Sequence, residues 1–179
     1  MSKIAIFEKV KDRLFAACFE ADGKDELDKT LDFWRDIELL REFFIYYRQD
    51  LSKFESTMKV KSAISQTMME AEEIYDRLIE FSEKDRLDEL FRPLDNREQS
   101  HPPYEFQKLK AKGEKRKSML RLYAVKYSDW YVITGSAIKL KDQMDERPHL
   151  KGELQKLELV KKHLQEGSSE GSFVYLDVQ

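Results

Sequence analysis

The sequence predicts an α+β fold: a mainly helical N-terminal region packed on a small antiparallel sheet, followed by a C-terminal amphipathic helix. Apolar residues recur at steps of three and four from about 56 to 82 and again from 148 to 164, which indicates helices. Between residues 119 and 140 apolar and polar residues alternate, which is typical of strands. Hydrophobic residues make up 41% of the 179 residues, enough for a buried core in one domain.

The N-terminal region, residues 1–100, is expected to be mainly helical. Its apolar start at residues 3–7 predicts either a strand or the first turn of a helix that continues to Ala21. Asp25 has the side chain of an N-cap for a short helix ending at Trp34, and a second helix is predicted from about Asp36. The N-terminal third should therefore contain at least two short helices.

The longest predicted helix runs from about 56 to 82, because this stretch contains no Pro or Gly. The polar, proline-containing residues 95–103 predict a loop or an internal boundary. Residues 101–167 should then form a sheet and a terminal helix, in which Gly135 marks a bulge and Pro148 begins the helix. The predicted helix ends near Gly167, and residues 168–179 are expected to be a flexible tail.

Several classes of protein and site are disfavoured by composition. No apolar run approaches the roughly 18 residues of a membrane span, and the start lacks a long apolar signal sequence, so we expect a cytoplasmic protein. The single cysteine, Cys18, lies among apolar residues and is expected to be a buried thiol. The histidines His101, His149 and His163 form no i, i+4 pair. We therefore predict no metal and no cofactor.

Charge is distributed unevenly along the chain. Residues 108–126 contain eight Lys and Arg against one Glu, a net charge of +7, whereas the whole chain carries −3. Clustered cations neutralise phosphates and release counterions, so a nucleic acid is one expected partner. The alternative is a solvated basic loop that only offsets the acidic remainder of the chain.

The predicted hairpin, residues 119–127 and 130–140, extends this basic surface. Arg121 and Tyr123 are two residues apart and so share one strand face, and Lys139 and Lys141 lie at the end of the second strand. A guanidinium can stabilise negative charge on phosphate, and a phenol can hydrogen-bond a base or transfer a proton. The pair is therefore a candidate site for a phosphodiester.

The order of elements from Lys110 to Leu164 resembles the C-terminal half of the RelE/HigB-like toxin superfamily. The resemblance rests on Leu-Arg-Leu-Tyr-Ala-Val at 120–125, on Tyr-Val-Ile-Thr-Gly-Ser-Ala-Ile-Lys-Leu at 131–140 and on Phe-Arg-Pro-Leu at 91–94. It implies a metal-independent endoribonuclease that cleaves mRNA, often on the ribosome, and that a partner antitoxin neutralises. The ribose 2′-hydroxyl would attack the adjacent phosphate while basic side chains hold it.

This resemblance assigns roles to individual residues. Arg121 would stabilise the transition state, Tyr123 would transfer a proton or stack on a base, and Lys139 would lie at the exit of the sheet. The candidate catalytic residues are thus Arg121, Tyr123 and Lys139. The candidate RNA-binding residues are Lys108, Lys110, Lys112, Lys115, Arg116, Lys117 and Lys141.

The chain also departs from that family. Its N-terminal region is larger than a two-helix hairpin, which suggests an elaboration, a surface for homo-oligomerisation or a built-in inhibitor. No histidine lies on the hairpin to act as a general base. Two alternatives remain: a non-catalytic protein that binds nucleic acid or protein through the same surface, and a helical interaction module whose basic loop pairs with an acidic partner.

Overall fold

The computed structural model describes residues 4–19, 23–114, 117–141, 147–170 and 175–177, and only the backbone of 168–170 and 175–177. The strands of its sheet are β1 (Ala5–Val10), β2 (Leu14–Cys18), β3 (Arg92–Pro93), β4 (Lys108–Lys112), β5 (Leu120–Tyr127), β6 (Trp130–Ile138) and β7 (Tyr175–Asp177). Their order across the sheet is β3-β4-β5-β6-β2-β1-β7. β2 pairs with β6, and β1 with β7, in parallel, whereas the remaining pairs are antiparallel. The α+β class is confirmed.

The helices are α1 (Glu26–Trp34), α2 (Ile37–Tyr46), α3 (Arg48–Phe54), α4 (Val60–Glu83), α5 (Leu87–Leu90) and α6 (Pro148–Glu170). The predicted starts of the first two are confirmed by capping bonds: the Asp25 carboxylate accepts from the backbone N–H of Asp28, and the Asp36 carboxylate accepts from those of Glu38 and Leu39. None of the helices that the structure describes is long and apolar enough to cross a membrane.

Helices cover both faces of the sheet. Successive strand residues point to opposite faces, so Leu122 and Ala124 of β5 join one core with α1, α2 and α4, whereas Tyr123 and Val125 join a second core under α6. The second core receives the predicted apolar stripe of α6, which includes Leu150, Leu157, Val160 and Leu164. The strand face that carries Arg121 and Tyr123 is therefore partly covered by a helix.

The N-terminal region contributes strands as well as helices. Residues 5–10 and 14–18 form a β-hairpin, which decides between the two predictions for the start of the chain in favour of a strand. This hairpin lies in the same sheet as the C-terminal strands, because Leu14, Phe15 and Ala16 pair with Tyr131, Val132 and Ile133. The buried Cys18 lies at its end, as predicted.

Two other predictions about elements were wrong. The basic segment does not begin as a loop, because Lys108–Lys112 forms β4 and pairs with β5. The helix does not end near Gly167 but continues to Glu170, and residues 175–177 form β7. The remaining tail positions, 171–174 and 178–179, lie outside the described residues.

The bulge predicted at Gly135 is confirmed. The register between β5 and β6 shifts at this point, where Tyr123 pairs with Gly135 but Ala124 pairs with Ile133. The second half of β6 also lies beyond the residues that pair with β2. There α1 and α6 lie beside the strand instead. The two groups of charged side chains described below both lie near this part of β6.

Candidate functional site

A cavity of about 320 Å³ lies where β4 and β5 and the end of β6 meet the C-terminus of α3. Five of the side chains that line it are cationic: Lys110, Lys112, Arg121, Lys139 and Lys141. Its other lining residues are Phe54, Asn96 and Leu140. None of the described residues that line this cavity, which we call the cationic pocket, is a carboxylate.

The strand register brings these cations together. Lys112 lies opposite Arg121 across β4 and β5, and Arg121 lies opposite Ala137 across β5 and β6. Directly opposed residues have Cβ atoms about 5 Å apart, and residues two apart on a strand share its face. Lys110, two residues before Lys112 on β4, and Lys139, two residues after Ala137, thus flank this row.

The guanidinium of Arg121 is held against the backbone. Its Nη1 donates to the carbonyl oxygens of Ser118 at 2.7 Å and Leu120 at 2.9 Å. Burial lowers the pKa of Arg121, and electrostatic interaction with Tyr123 and Glu70 partly opposes this. An arginine remains charged despite such a shift, so the pocket contains a fixed positive charge.

Lys110 has the most perturbed environment in the pocket. Its Nζ donates to the carbonyl of Leu94 at 3.1 Å and to the side-chain oxygen of Asn96. Burial, and then the positive charges of Lys139, Arg121 and Lys112, lower the pKa of Lys110 to about 8. A lysine with such a pKa can gain or lose a proton near neutral pH.

Phe54 forms an aromatic wall beside these cations. It is the last residue of α3, and its carbonyl accepts a hydrogen bond of 3.1 Å from Nζ of Lys117. The same ammonium lies 5.7 Å from the centre of the Phe54 ring. Lys117 is therefore bound at the end of α3, where a cation favourably meets the helix dipole.

The remaining predicted residues are distributed differently. Tyr123 has no exposed surface, and burial raises its pKa far above the usual value of a phenol. A side chain so enclosed can neither stack on a base nor exchange a proton near neutral pH. In this position Tyr123 cannot fill either of the two roles predicted for it. Lys108 pairs with Glu158 of α6. Lys115 and Arg116 lie outside the described residues.

A second charged group lies at the part of β6 that α1 and α6 cover. Lys156 donates to Glu26 at 3.0 Å and to Glu153 at 3.1 Å, and these carboxylate side chains are only 6% and 13% exposed. Burial raises the pKa of Glu153 to about 7. We call Glu26, Glu153 and Lys156 the edge cluster; it lines a separate cavity of about 270 Å³.

Backbone contacts hold the edge cluster against the strand. The Nε2 of His149 lies 3.1 Å from the carbonyl oxygen of Ile138 and must donate to it, so Nδ1 accepts from the hydroxyl of Tyr47 at 3.1 Å. A Cβ at Gly135 would lie 1.9 Å from a carboxylate oxygen of Glu153, so only glycine fits there. His149 therefore belongs to this structural arrangement and not to the cationic pocket.

Comparison with models of protein families, with curated proteins and with solved structures found no match for this chain. The RelE/HigB-like resemblance stays a prediction.

Proposed function

We propose that the cationic pocket binds a phosphodiester of RNA and that the protein cleaves it without a metal ion, as a toxin of a toxin–antitoxin pair would. The observation that carries the proposal is the convergence of five cations from two strands, β4 and β5, and from the segment after β6 on one cavity; no carboxylate is among the described residues that line it. Burial lowers the pKa of Lys110 most, and the repulsion between the like charges brought together here lowers it further. A bound anion would relieve the repulsion between these cations.

The chemistry requires three functions from this chain. Lys110, in its neutral form, accepts the proton of the ribose 2′-hydroxyl as that oxygen attacks phosphorus. Arg121 and Lys139 stabilise the negative charge that develops on the phosphate oxygens. The ammonium of Lys112 gives a proton to the departing 5′-oxygen, so the bond from phosphorus to that oxygen breaks and a 2′,3′-cyclic phosphate forms without consumption of water.

The direct test is RNA cleavage in the presence of EDTA, combined with expression in growing cells. We expect the wild type to cut RNA and arrest growth, and Arg121→Ala to lower the cleavage rate by about 100-fold to 1,000-fold, as loss of a transition-state donor does. Lys110→Ala should have a similar effect. The matched control is Lys84→Ala, because Lys84 is exposed and pairs with Glu80 on the surface.

Absence of cleavage by the wild type, or cleavage that Arg121→Ala leaves unchanged, would overturn the proposal. Circular dichroism of each variant separates loss of activity from loss of folding.

A second candidate function is RNA binding without cleavage. It is favoured by the hydrogen bonds that Lys110 already makes with Leu94 and Asn96, because two acceptors favour the charged form of the lysine. In that case RNA affinity should fall steeply with salt while the RNA stays intact. An antitoxin partner is implied by the resemblance alone. We would expect such a partner to fill the pocket with an acidic segment.

A further inference from the structure

We infer that the cationic pocket receives an unpaired nucleotide whose base stacks on Phe54 while its phosphate is held by Arg121 and its neighbouring lysines. This inference rests on the proposed function and specifies its substrate as single-stranded nucleic acid. It assigns a base-binding role to an aromatic residue that lies more than 50 positions from the basic segment along the chain.

Phe54 differs from the rest of the pocket lining. It is the aromatic residue among side chains that are otherwise cationic, apart from Asn96 and Leu140. The ring is partly buried, because it packs against the core that α4 covers, but it also borders the cavity. A ring supported from behind and bordering a cavity can receive a planar group.

The end of α3 is also fixed in position. The guanidinium of Arg147, at the start of α6, binds both carboxylate oxygens of Asp50 at 2.8 Å, and Asp50 is almost fully buried. The ammonium of Lys117, in the segment before β5, donates a hydrogen bond to the carbonyl oxygen of Phe54. Two charge-assisted contacts, from the segments just before β5 and just before α6, thus hold α3, which limits the entropy lost when a base stacks on Phe54.

An aromatic ring beside a row of cations is the combination that proteins use to bind single strands. Stacking tolerates any base, since every base has a π-face, and the cations bind the backbone. A base inside a duplex is already stacked on its neighbours, so a ring at the wall of a cavity reaches only an unpaired one. The cavity of about 320 Å³ lies within the usual range of small-ligand sites.

The test compares ligands with and without a base. The probes are a single-stranded deoxythymidine oligomer, which lacks the attacking 2′-hydroxyl, the same oligomer with abasic sites, and inorganic tripolyphosphate. We expect Phe54→Leu to weaken binding of the intact oligomer by about 5-fold to 100-fold, the range found for loss of one stacked base. Phe54→Tyr should bind normally, and tripolyphosphate should bind all three proteins equally.

Two outcomes would overturn the inference. One is equal affinity of the wild type for intact and abasic oligomers, a measurement that needs no variant and so does not depend on how Phe54→Leu folds. The other is binding of a duplex at least as tight as binding of the single strand.

The controls also separate this inference from the proposed function. If Arg121→Ala loses affinity for tripolyphosphate and for both oligomers while Phe54→Leu binds like the wild type, only the base-binding role is wrong. If Arg121→Ala binds every probe like the wild type, the phosphate site itself is wrong.

Discussion

The edge cluster and the cationic pocket each contain a partly buried lysine, yet their surroundings have opposite effects. Lys156 lies between two carboxylates, and their charges and hydrogen bonds outweigh burial and raise its pKa. Lys110 lies beside three cations, and burial together with their charges lowers its pKa to about 8. A lysine held between carboxylates stabilises the fold, whereas several cations placed beside one another favour the binding of an anion.

The position of each group explains the difference. The edge cluster lies along β6 where β2 no longer pairs with it, and nearby His149 satisfies the carbonyl of Ile138. It therefore protects a strand edge that would otherwise be exposed. The cationic pocket lies at the same open end of the hairpin but on its β4 side, and none of the described residues that line it is a carboxylate.

The largest expected effect is that of removing the central cation of the edge cluster. Lys156→Met leaves Glu26 and Glu153 without their shared partner, and breaking a buried ion pair in this way costs about 3 to 5 kcal/mol. A third of the Lys156 side chain is exposed, so we expect a smaller loss, about 2 to 4 kcal/mol in the free energy of unfolding measured in urea. RNA affinity should stay unchanged.

The control for this variant is Lys84→Met, because both members of the pair between Lys84 and Glu80 are about half exposed. It should change the free energy of unfolding by less than about 1 kcal/mol. Equal losses in the two variants would contradict the distinction between a compensated internal cluster and a surface pair.

A smaller effect is expected when pH is varied during anion binding to the pocket. A bound sulfate should keep Lys110 charged, whereas in the free protein this residue loses its proton near pH 8. Affinity for sulfate should therefore fall by about tenfold between pH 7 and pH 9, because binding must take up a proton above the pKa. Isothermal titration calorimetry in buffers of different ionisation enthalpy measures both the affinity for sulfate and the number of protons taken up on binding.

Lys110→Arg is the matched variant for this experiment, since arginine stays charged throughout the range. Its affinity for sulfate should be almost constant from pH 7 to pH 9. A wild type with equally constant affinity would show that Lys110 does not respond to the anion.

The smallest expected effect is a gain in stability when Lys110 is neutralised. The pKa of Lys110 is lower in the folded than in the unfolded protein, so folding disfavours its charged form at neutral pH and wild-type stability should rise from about pH 8 to pH 10.5. Lys110→Met should stabilise the protein at pH 7 by up to about 1 kcal/mol, and this difference should vanish above pH 10.5. Urea unfolding at both pH values checks this; a destabilised variant at pH 7 would contradict it.

Local patterns predicted most helices and the β5–β6 hairpin, because caps and periodicity are properties of a few neighbouring residues. The strand β4 was visible in principle: Lys-Leu-Lys-Ala-Lys alternates, and Leu109 and Ala111 are buried. Its high charge favoured the interpretation as a loop. The alternation was the better guide, since it places Leu109 and Ala111 on one face of the strand and the three lysines on the other.

The site itself could be predicted only in part. The charge count of residues 108–126 indicated Lys110, Lys112 and Arg121, and the predicted hairpin added Lys139 and Lys141; all five line the pocket. Phe54 and Asn96 carry no local signal, since tertiary packing alone brings α3 and the loop after β3 to the strands. Tyr123 could not be assigned to the core in advance, because both faces of β5 are rich in apolar residues and the cover provided by α6 depends on the whole fold.

The parallel pairing of β2 with β6 sets the order in which the chain can fold. The hairpin of β1 and β2 is synthesised before the strand with which β2 pairs, Trp130–Ile138, which follows more than 100 residues later. Such non-local pairing slows folding, and until it forms, β2 presents an unpaired apolar edge. A nascent or truncated chain that ends before β6 should therefore depend on chaperones or aggregate, so premature termination would produce insoluble fragments and not a partly active domain.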